Sequence, residues 1–157
     1  VAWLSDNSLF EALGTRAMFL ASYVAADFGE CRETVERVGD GGVDEWHRQW
    51  SALADWLVEL GDDSAGRGHW VSAPYAYLQA TNYYRTAYAP LFGSPVDPRL
   101  KAAFDRAEDT FDAVGAERKI LIRFAEAEGA GGHCEGTARH LSHQRCYDWL
   151  DEALGNG

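Results

Sequence analysis

The sequence has little cysteine, methionine, proline or positive charge. Of its 157 residues three are Cys, one is Met, four are Pro and 14 are Lys or Arg. The cysteines, Cys31, Cys134 and Cys146, are an odd number without a CxxC pair. That supports neither a disulfide framework nor a zinc ribbon and fits a reducing cytoplasm. Fourteen bases against 25 acids leave a formal net charge of −11, a field that repels polyanions and anionic lipid. Neither nucleic acid nor a membrane is an expected partner. No apolar run approaches the roughly 20 residues of a membrane-spanning helix. Val1 to Asn7 lack a basic stretch followed by an apolar one, so a soluble, unexported, cytoplasmic protein is expected.

What is present is a globular composition, 46% hydrophobic, 13% aromatic and 25% charged, with room for one core or for a domain plus a small appendage. The acidity is uneven. Up to Gly115 there are 18 acids and 9 bases, and beyond it 7 acids and 5 bases.

Helical periodicity dominates the first 115 residues. Phe10, Leu13, Ala17, Leu20 and Val24 recur at spacings of three and four, with Ser8 able to cap the start. Cys31, Val35 and Val38 mark a short second helix ended by Gly39 to Gly42. From Val43 the stripe Trp46, Trp50, Leu53, Leu57 and Leu60 predicts a long amphipathic helix, with Trp56 also expected in its packing. Gly61 to Gly68 reads as a turn, and Ser64 as turn chemistry. A fourth helix starts with Ser72 as cap and Pro74 in its first turn. It carries a small-residue face, Ala73, Ala76, Ala80 and Ala87, and an aromatic one, Tyr77, Thr81, Tyr84 and Tyr88. Asp97 and Pro98 open a fifth, with Leu100, Phe104, Ala107, Phe111 and Val114 on its stripe.

Lys119 to Phe124 is different, a short β-branched apolar run that reads as a buried strand. No second convincing strand is present to pair with it. Glu128 to His133 is a glycine-rich loop, and a last helix follows from about Gly136 to Leu154, its inner face placed at Ser142, Cys146, Trp149, Leu150 and Ala153. The fold class expected is mainly α. It comprises a bundle of about five helices over residues 1–115 and a strand-loop-helix remnant of an α/β sheet over 116–157.

His133 follows the C-terminal end of the expected strand, where open α/β sheets present catalytic groups; the alternative is a surface-loop histidine. Cys134, His140 and His143 match no familiar zinc spacing, so no metal and no cofactor is expected. The nearest approach to a G-x-S-x-G elbow, Gly61 to Gly66, places Asp62 two residues before Ser64 and so misses the motif. Thr81 to Arg85 groups an amide, two phenols and a guanidinium. Tyr83, Tyr84 and Arg85 could line a pocket for a small-molecule substrate or ligand, or the tyrosines could be core packing. Asp27 and Glu30 read as helix-start acids.

Two blocks of sequence carry a resemblance. Ala25 to Glu30, Trp46 to Trp50, Gly68 to Ala73 and Ala80 to Arg85 resemble the N-terminal helical cap of a bacterial α/β-hydrolase family, that of dihydroxypseudooxynicotine hydrolases and acylaminoacyl-peptidase-like esterases. Glu126 to Glu135, His143 to Arg145 and Asp148 to Leu150 resemble the last strand, histidine loop and last helix of the same enzymes. The resemblance implies a cap over a serine hydrolase core that cleaves C–C, ester or amide bonds with a Ser-Asp-His triad. His133 is the one triad member it carries over. The nucleophile, the acid and most of the sheet would fall between Val114 and Arg118, where this sequence passes directly from helix to strand. The chain alone is therefore expected not to be a competent serine hydrolase. The alternatives are a helical binding or dimerisation domain without chemistry, and a remodelled cap pocket in which His133 works with a tyrosine or carboxylate. An unpaired strand edge would favour a homodimer.

Overall fold

The computed structural model describes residues 3–115, 128 and 139–154. The chain divides into two compact units, Val1–Gly115 and Ala116–Gly157. The described residues are mainly helical, as the sequence predicts. The first unit contains α1 (Ser8–Phe19), a 3-10 turn (Leu20–Tyr23), α2 (Phe28–Val38), α3 (Val43–Gly66), α4 (Ser72–Tyr88) and α5 (Pro98–Ala113); the second contains α6 (Arg139–Leu154). No helix among the described residues is long and apolar enough to cross a membrane. The expected strand Lys119 to Phe124 and the histidine loop lie outside the described residues.

Local chemistry starts three of the helices. The Asn7 side chain accepts from the N–H groups of Leu9 and Phe10, Asp27 from that of Glu30, and Asp97 from that of Arg99, with Pro98 just inside α5. Asp27 and Glu30 are thus helix-start acids. α1 is capped by Asn7 rather than Ser8, and Ser72 is the first residue of α4, whose N-cap position is held by Val71 without a side-chain bond.

α4 is the central helix. It packs on α3 along one side and on α5 along another, and α1 also touches it. Nine of its 17 residues are buried, so its small and aromatic faces are both used. Ala76, Ala80 and Ala87 admit close approach, and the Trp46 indole N–H donates to the Thr86 carbonyl at 2.9 Å. A run of aromatic contacts crosses the core, with centroids 4.7 Å apart for Phe10 and Trp46, 5.3 Å for Trp46 and Trp50, and 5.4 Å for Trp50 and Tyr83. Such pairs each contribute about 0.5–1.5 kcal/mol beyond their area. This run joins α1, α3 and α4. The Asn82 side chain donates to the carbonyls of Ala17 at 3.3 Å and Ala25 at 2.9 Å, fixing the end of α1 and the segment leading into α2.

Several readings of the sequence need correction. α3 does not stop at Leu60 but runs through Gly61 and Ser64 to Gly66, and both of those residues are buried. Its buried stripe is Trp46, Trp50, Ala54, Leu57, Gly61 and Ser64, so Ser64 is a helix residue and not part of a turn. Trp56 lies off that stripe and is 51% exposed. On α5 the buried positions are Ala103, Ala107 and Thr110, while Phe104 is turned outward against Tyr88. On α6 Cys146 is exposed rather than inward-facing. Also in the second unit, Arg145 is paired with Glu128.

Candidate functional site

Tyr83 and Tyr84 are neighbours on α4, and the helix sends them to different partners because consecutive residues point about 100° apart. Tyr83 is fully buried, its ring against Trp50. Its hydroxyl donates to Glu30 Oε2 at 2.8 Å and accepts from the Asp27 N–H at 2.8 Å. The Cys31 thiol approaches the same oxygen at 3.8 Å. One phenol on α4 therefore organises the whole first turn of α2.

Burial and neighbouring acids set the ionisation here. Burial pushes the Tyr83 phenol well above its ordinary range, so it stays protonated. Burial likewise pushes the Cys31 thiol up to about 12, which makes it a packing group and not a nucleophile. The Glu30 carboxyl is raised, first by its own burial and further by Asp27, with the Tyr83 hydrogen bond opposing.

Tyr84 turns towards α3 and α5. Its hydroxyl donates to Asp55 Oδ1 at 2.5 Å and accepts from Arg106 Nη2 at 2.5 Å; Arg106 also donates to Asp55 at 2.8 Å and lies 4.9 Å from the centre of the tyrosine ring. Burial and Asp55 raise the phenol, and Arg106 partly offsets them. This closed ring of three groups ties three helices together. Neither phenol is placed to act as a base, since both are held neutral and both hydroxyls are engaged by protein groups.

Arg85 is exposed. The three residues read from the sequence as one pocket lining thus face an acidic helix start, an acid–guanidinium pair and solvent, and their functional groups are not brought together. Core packing accounts for both tyrosines. Sequence reasoning did not find Asp55 and Arg106 as Tyr84 partners, because they stand 29 and 22 residues away with no motif to link them. The tyrosine cluster itself was visible. His133 lies outside the described residues.

No family model and no solved structure matches the chain. Curated proteins do. A hydrolase of Aspergillus aculeatus is 37% identical over 133 residues, covering 80% of this chain and 30% of its own length. A hydrolase of a Fusarium species is 32% identical over 130 residues, covering 80% and 31%. The 20-hydroxy-prefusarin hydrolase of Gibberella moniliformis is 34% identical over 108 residues, covering 69% and 25%. Two further fungal relatives, 29% and 26% identical, are named alpha/beta hydrolases. The chain spans about 30% of the length of the first of these relatives. It is therefore related to a group of hydrolases, some of them alpha/beta hydrolases, and matches a segment of each and not the whole.

Proposed function

We propose that residues 1–115 are the helical cap of an α/β-hydrolase of the dihydroxypseudooxynicotine hydrolase and acylaminoacyl-peptidase-like type, and that 116–157 are its closing strand, histidine loop and final helix. The observation that supports this is the match to hydrolases over 80% of this chain but only 30% of theirs. In this reading the chain carries the part that covers a substrate, and most of the catalytic core is absent from its sequence.

His133 is the proposed catalytic histidine. It would take the proton of a serine as that serine attacks the substrate carbonyl, and return it to the leaving group. The serine and the acid have no counterpart among the 157 residues. The substrate is a small molecule bound under the cap; Arg85 is exposed and able to meet a polar group, while Tyr83 and Tyr84 act behind the surface by holding α2, α3 and α5 in place. No cofactor takes part, and the setting is cytoplasmic.

The test is an ester-hydrolysis assay on the purified chain, together with labelling by a serine-directed fluorophosphonate. The expected result is neither turnover nor labelling. Turnover that His133→Ala removes would overturn the view that the triad is incomplete. The cap assignment is tested separately by replacing the matching segment of the Aspergillus aculeatus hydrolase with residues 1–115. A folded chimera that retains hydrolysis is expected, and a folded chimera in which the grafted segment does not pack on the core would overturn the assignment. A second reading, a helical binding or dimerisation domain without chemistry, draws on the fact that both tyrosine hydroxyls are already satisfied within the first unit. In that case His133→Ala leaves ligand affinity and oligomeric state unchanged.

A further inference from the structure

The turn between α3 and α4 presents apolar side chains that the packing of the first unit does not use. Trp70 is 73% exposed, Val71 75% and Tyr75, one turn into α4, 49%. A loose turn is not the reason. The His69 N–H donates to the Ser64 carbonyl and the Gly68 N–H to that of Ala65, both at 2.9 Å, and the His69 carbonyl accepts from the N–H groups of Ser72 and Ala73. Gly68 takes a φ of +76°, which glycine adopts without strain and which lets the chain turn inside those bonds. The backbone is thus pinned on both sides of Trp70, and the indole is held outward.

Charge is missing from the same stretch. Between Asp63 and Arg85 the one charged side chain is Arg67, and it is paired with Asp63. Other exposed aromatics of the unit stand among charges, as Trp56 does beside Asp55 and Phe104 beside Asp105. A surface without charge costs little to desolvate, and the centre of a protein interface is depleted of charged residues and enriched in aromatic ones. Position adds a third observation. α4 and α5 run antiparallel, with Thr81 against Thr110, Tyr84 against Arg106 and Tyr88 against Phe104. That register sets Tyr75 beside the last turn of α5, so the chain leaves the first unit, at Gly115, from the end of the bundle that carries Trp70 and Val71. In the cap reading the rest of the hydrolase is joined there.

We propose that Trp70, Val71 and Tyr75 form the surface by which the first unit docks on the catalytic core of a hydrolase, against an apolar, uncharged patch of that core. The occupant is the part of the enzyme that this chain, spanning 30% of the length of its Aspergillus aculeatus relative, does not contain. The inference rests on the cap reading and adds to it which end of the bundle faces the core. Two rigidly held apolar side chains next to the point of attachment are ready to be buried without ordering a loop, so little conformational entropy opposes docking. The rival face is that of Phe19 and Tyr23, 70% and 72% exposed at the end of α1.

The test is hydroxyl-radical footprinting, read by mass spectrometry, on the full chain and on the chimera in which residues 1–115 replace the matching segment of the Aspergillus aculeatus hydrolase. Trp70 and Tyr75 should label readily in the full chain. In the chimera their labelling should slow about fivefold or more, as burial at the centre of an interface requires. Phe92, exposed at the opposite end of the bundle, should label equally in both. Trp70→Ser should leave the unfolding midpoint of the full chain unchanged and lower that of the chimera. If Phe19 and Tyr23 are protected and Trp70 is not, the proposal is overturned while the cap reading stands. If a folded chimera protects none of these residues, the cap reading falls and the proposal with it. Should the chimera not fold, the same labelling is read on the intact Aspergillus aculeatus hydrolase at the positions that match 70 and 75, where protection supports the proposal and full labelling overturns it.

Discussion

Gly61 lies under the ring of Tyr77, so close that a Cβ on residue 61 would stand 2.5 Å from Tyr77 Cε1 and 2.8 Å from Cδ1. Tyr77 is itself buried, and its hydroxyl donates to Asp62 Oδ1 at 2.8 Å. The ring therefore lies against the backbone of α3 and is held there by its hydroxyl. A glycine that costs a helix roughly 1 kcal/mol relative to alanine is retained where it lets two helices touch.

Gly61→Ala should accordingly destabilise, although helix propensity alone favours it. Tyr77 would have to leave its place and lose the bond to Asp62, at a cost of about 1–3 kcal/mol, which is typical of overpacking. Urea unfolding of Gly61→Ala against the parent measures this, and repeating the pair in a Tyr77→Leu background should remove most of the penalty. A stabilised Gly61→Ala would mean that the contact is not tight.

Asn82 makes a comparable long-range tie. Its amide nitrogen donates to the carbonyls of Ala17 and Ala25, which lie 65 and 57 residues earlier, and the residue is 5% exposed. Asn82→Leu keeps the branched heavy-atom shape but removes the donor from both carbonyls; that of Ala17 still accepts from the Leu20 N–H, so a loss of about 1–3 kcal/mol is expected, mainly from the Ala25 carbonyl. Hydrogen exchange should locate the loosening at the end of α1 and the start of α2. A uniform loss of protection across all five helices would instead indicate damage to the α4 core.

These two contacts show where the sequence was readable. Asp27 and Asp97 accept from N–H groups three and two positions on, and Pro98 acts through its own fixed φ, so a local rule finds them. The stripe on α3 was readable as far as Leu57. Its continuation uses Gly61 and Ser64, which carry no hydrophobic signal, and glycine is by local rule a helix terminator. The ring of Tyr77, on another helix, occupies the space a side chain at residue 61 would need, and no local rule shows that. Trp56 was misplaced for the opposite reason, because a large apolar residue on an amphipathic helix reads as core whatever its angle. At the candidate site the cluster Tyr83 and Tyr84 was visible as composition. The division of their hydroxyls between Glu30, 53 residues away, and Asp55, 29 residues away, follows from the packing of α4 between its neighbours.

Val24 ends the 3-10 turn with φ 55° and ψ 15°, the left-handed region, in which a β-branched residue is strained. Its side chain is 52% exposed, so little burial offsets the strain. Val24→Gly removes a conformational cost of about 1–2 kcal/mol and returns roughly half of it through the greater freedom of the unfolded chain. A net gain of about 0.5–1 kcal/mol in urea unfolding is expected, and Val24→Asn should gain in the same direction. If Val24→Gly destabilises, the valine must be making a contact that outweighs its backbone strain.

Glu30 gives the first unit a pH dependence of opposite sign to that of most surface carboxylates. Its folded-state carboxyl is raised above the ordinary value of 4.5 by burial, with Asp27 adding and Tyr83 opposing. Glu33 and Arg37 on its own helix form a neutral pair and Gln49 faces it from α3, so no neighbour reverses that sign. When a folded-state acid is raised, the folded protein binds more protons than the unfolded chain between the two values, and stability falls as pH rises through that window. Below 4.5 the carboxyl is neutral in both states and contributes no such loss. Glu30→Gln keeps an acceptor for the Tyr83 hydroxyl but cannot ionise. The unfolding free energy of the parent minus that of Glu30→Gln should therefore decline from pH 4.5 upward and level off once the folded-state carboxylate is fully charged. Glu11 supplies the contrast. It accepts from the N–H groups of Trp3, Leu4 and Ser5 and is lowered by them, so its contribution is present above 4.5 and is lost as pH falls through its folded value. Parallel unfolding curves for Glu11→Gln should thus slope the other way, and a Glu30→Gln difference that is flat or rises with pH would show that the carboxyl is better solvated than its place between α2 and Tyr83 implies.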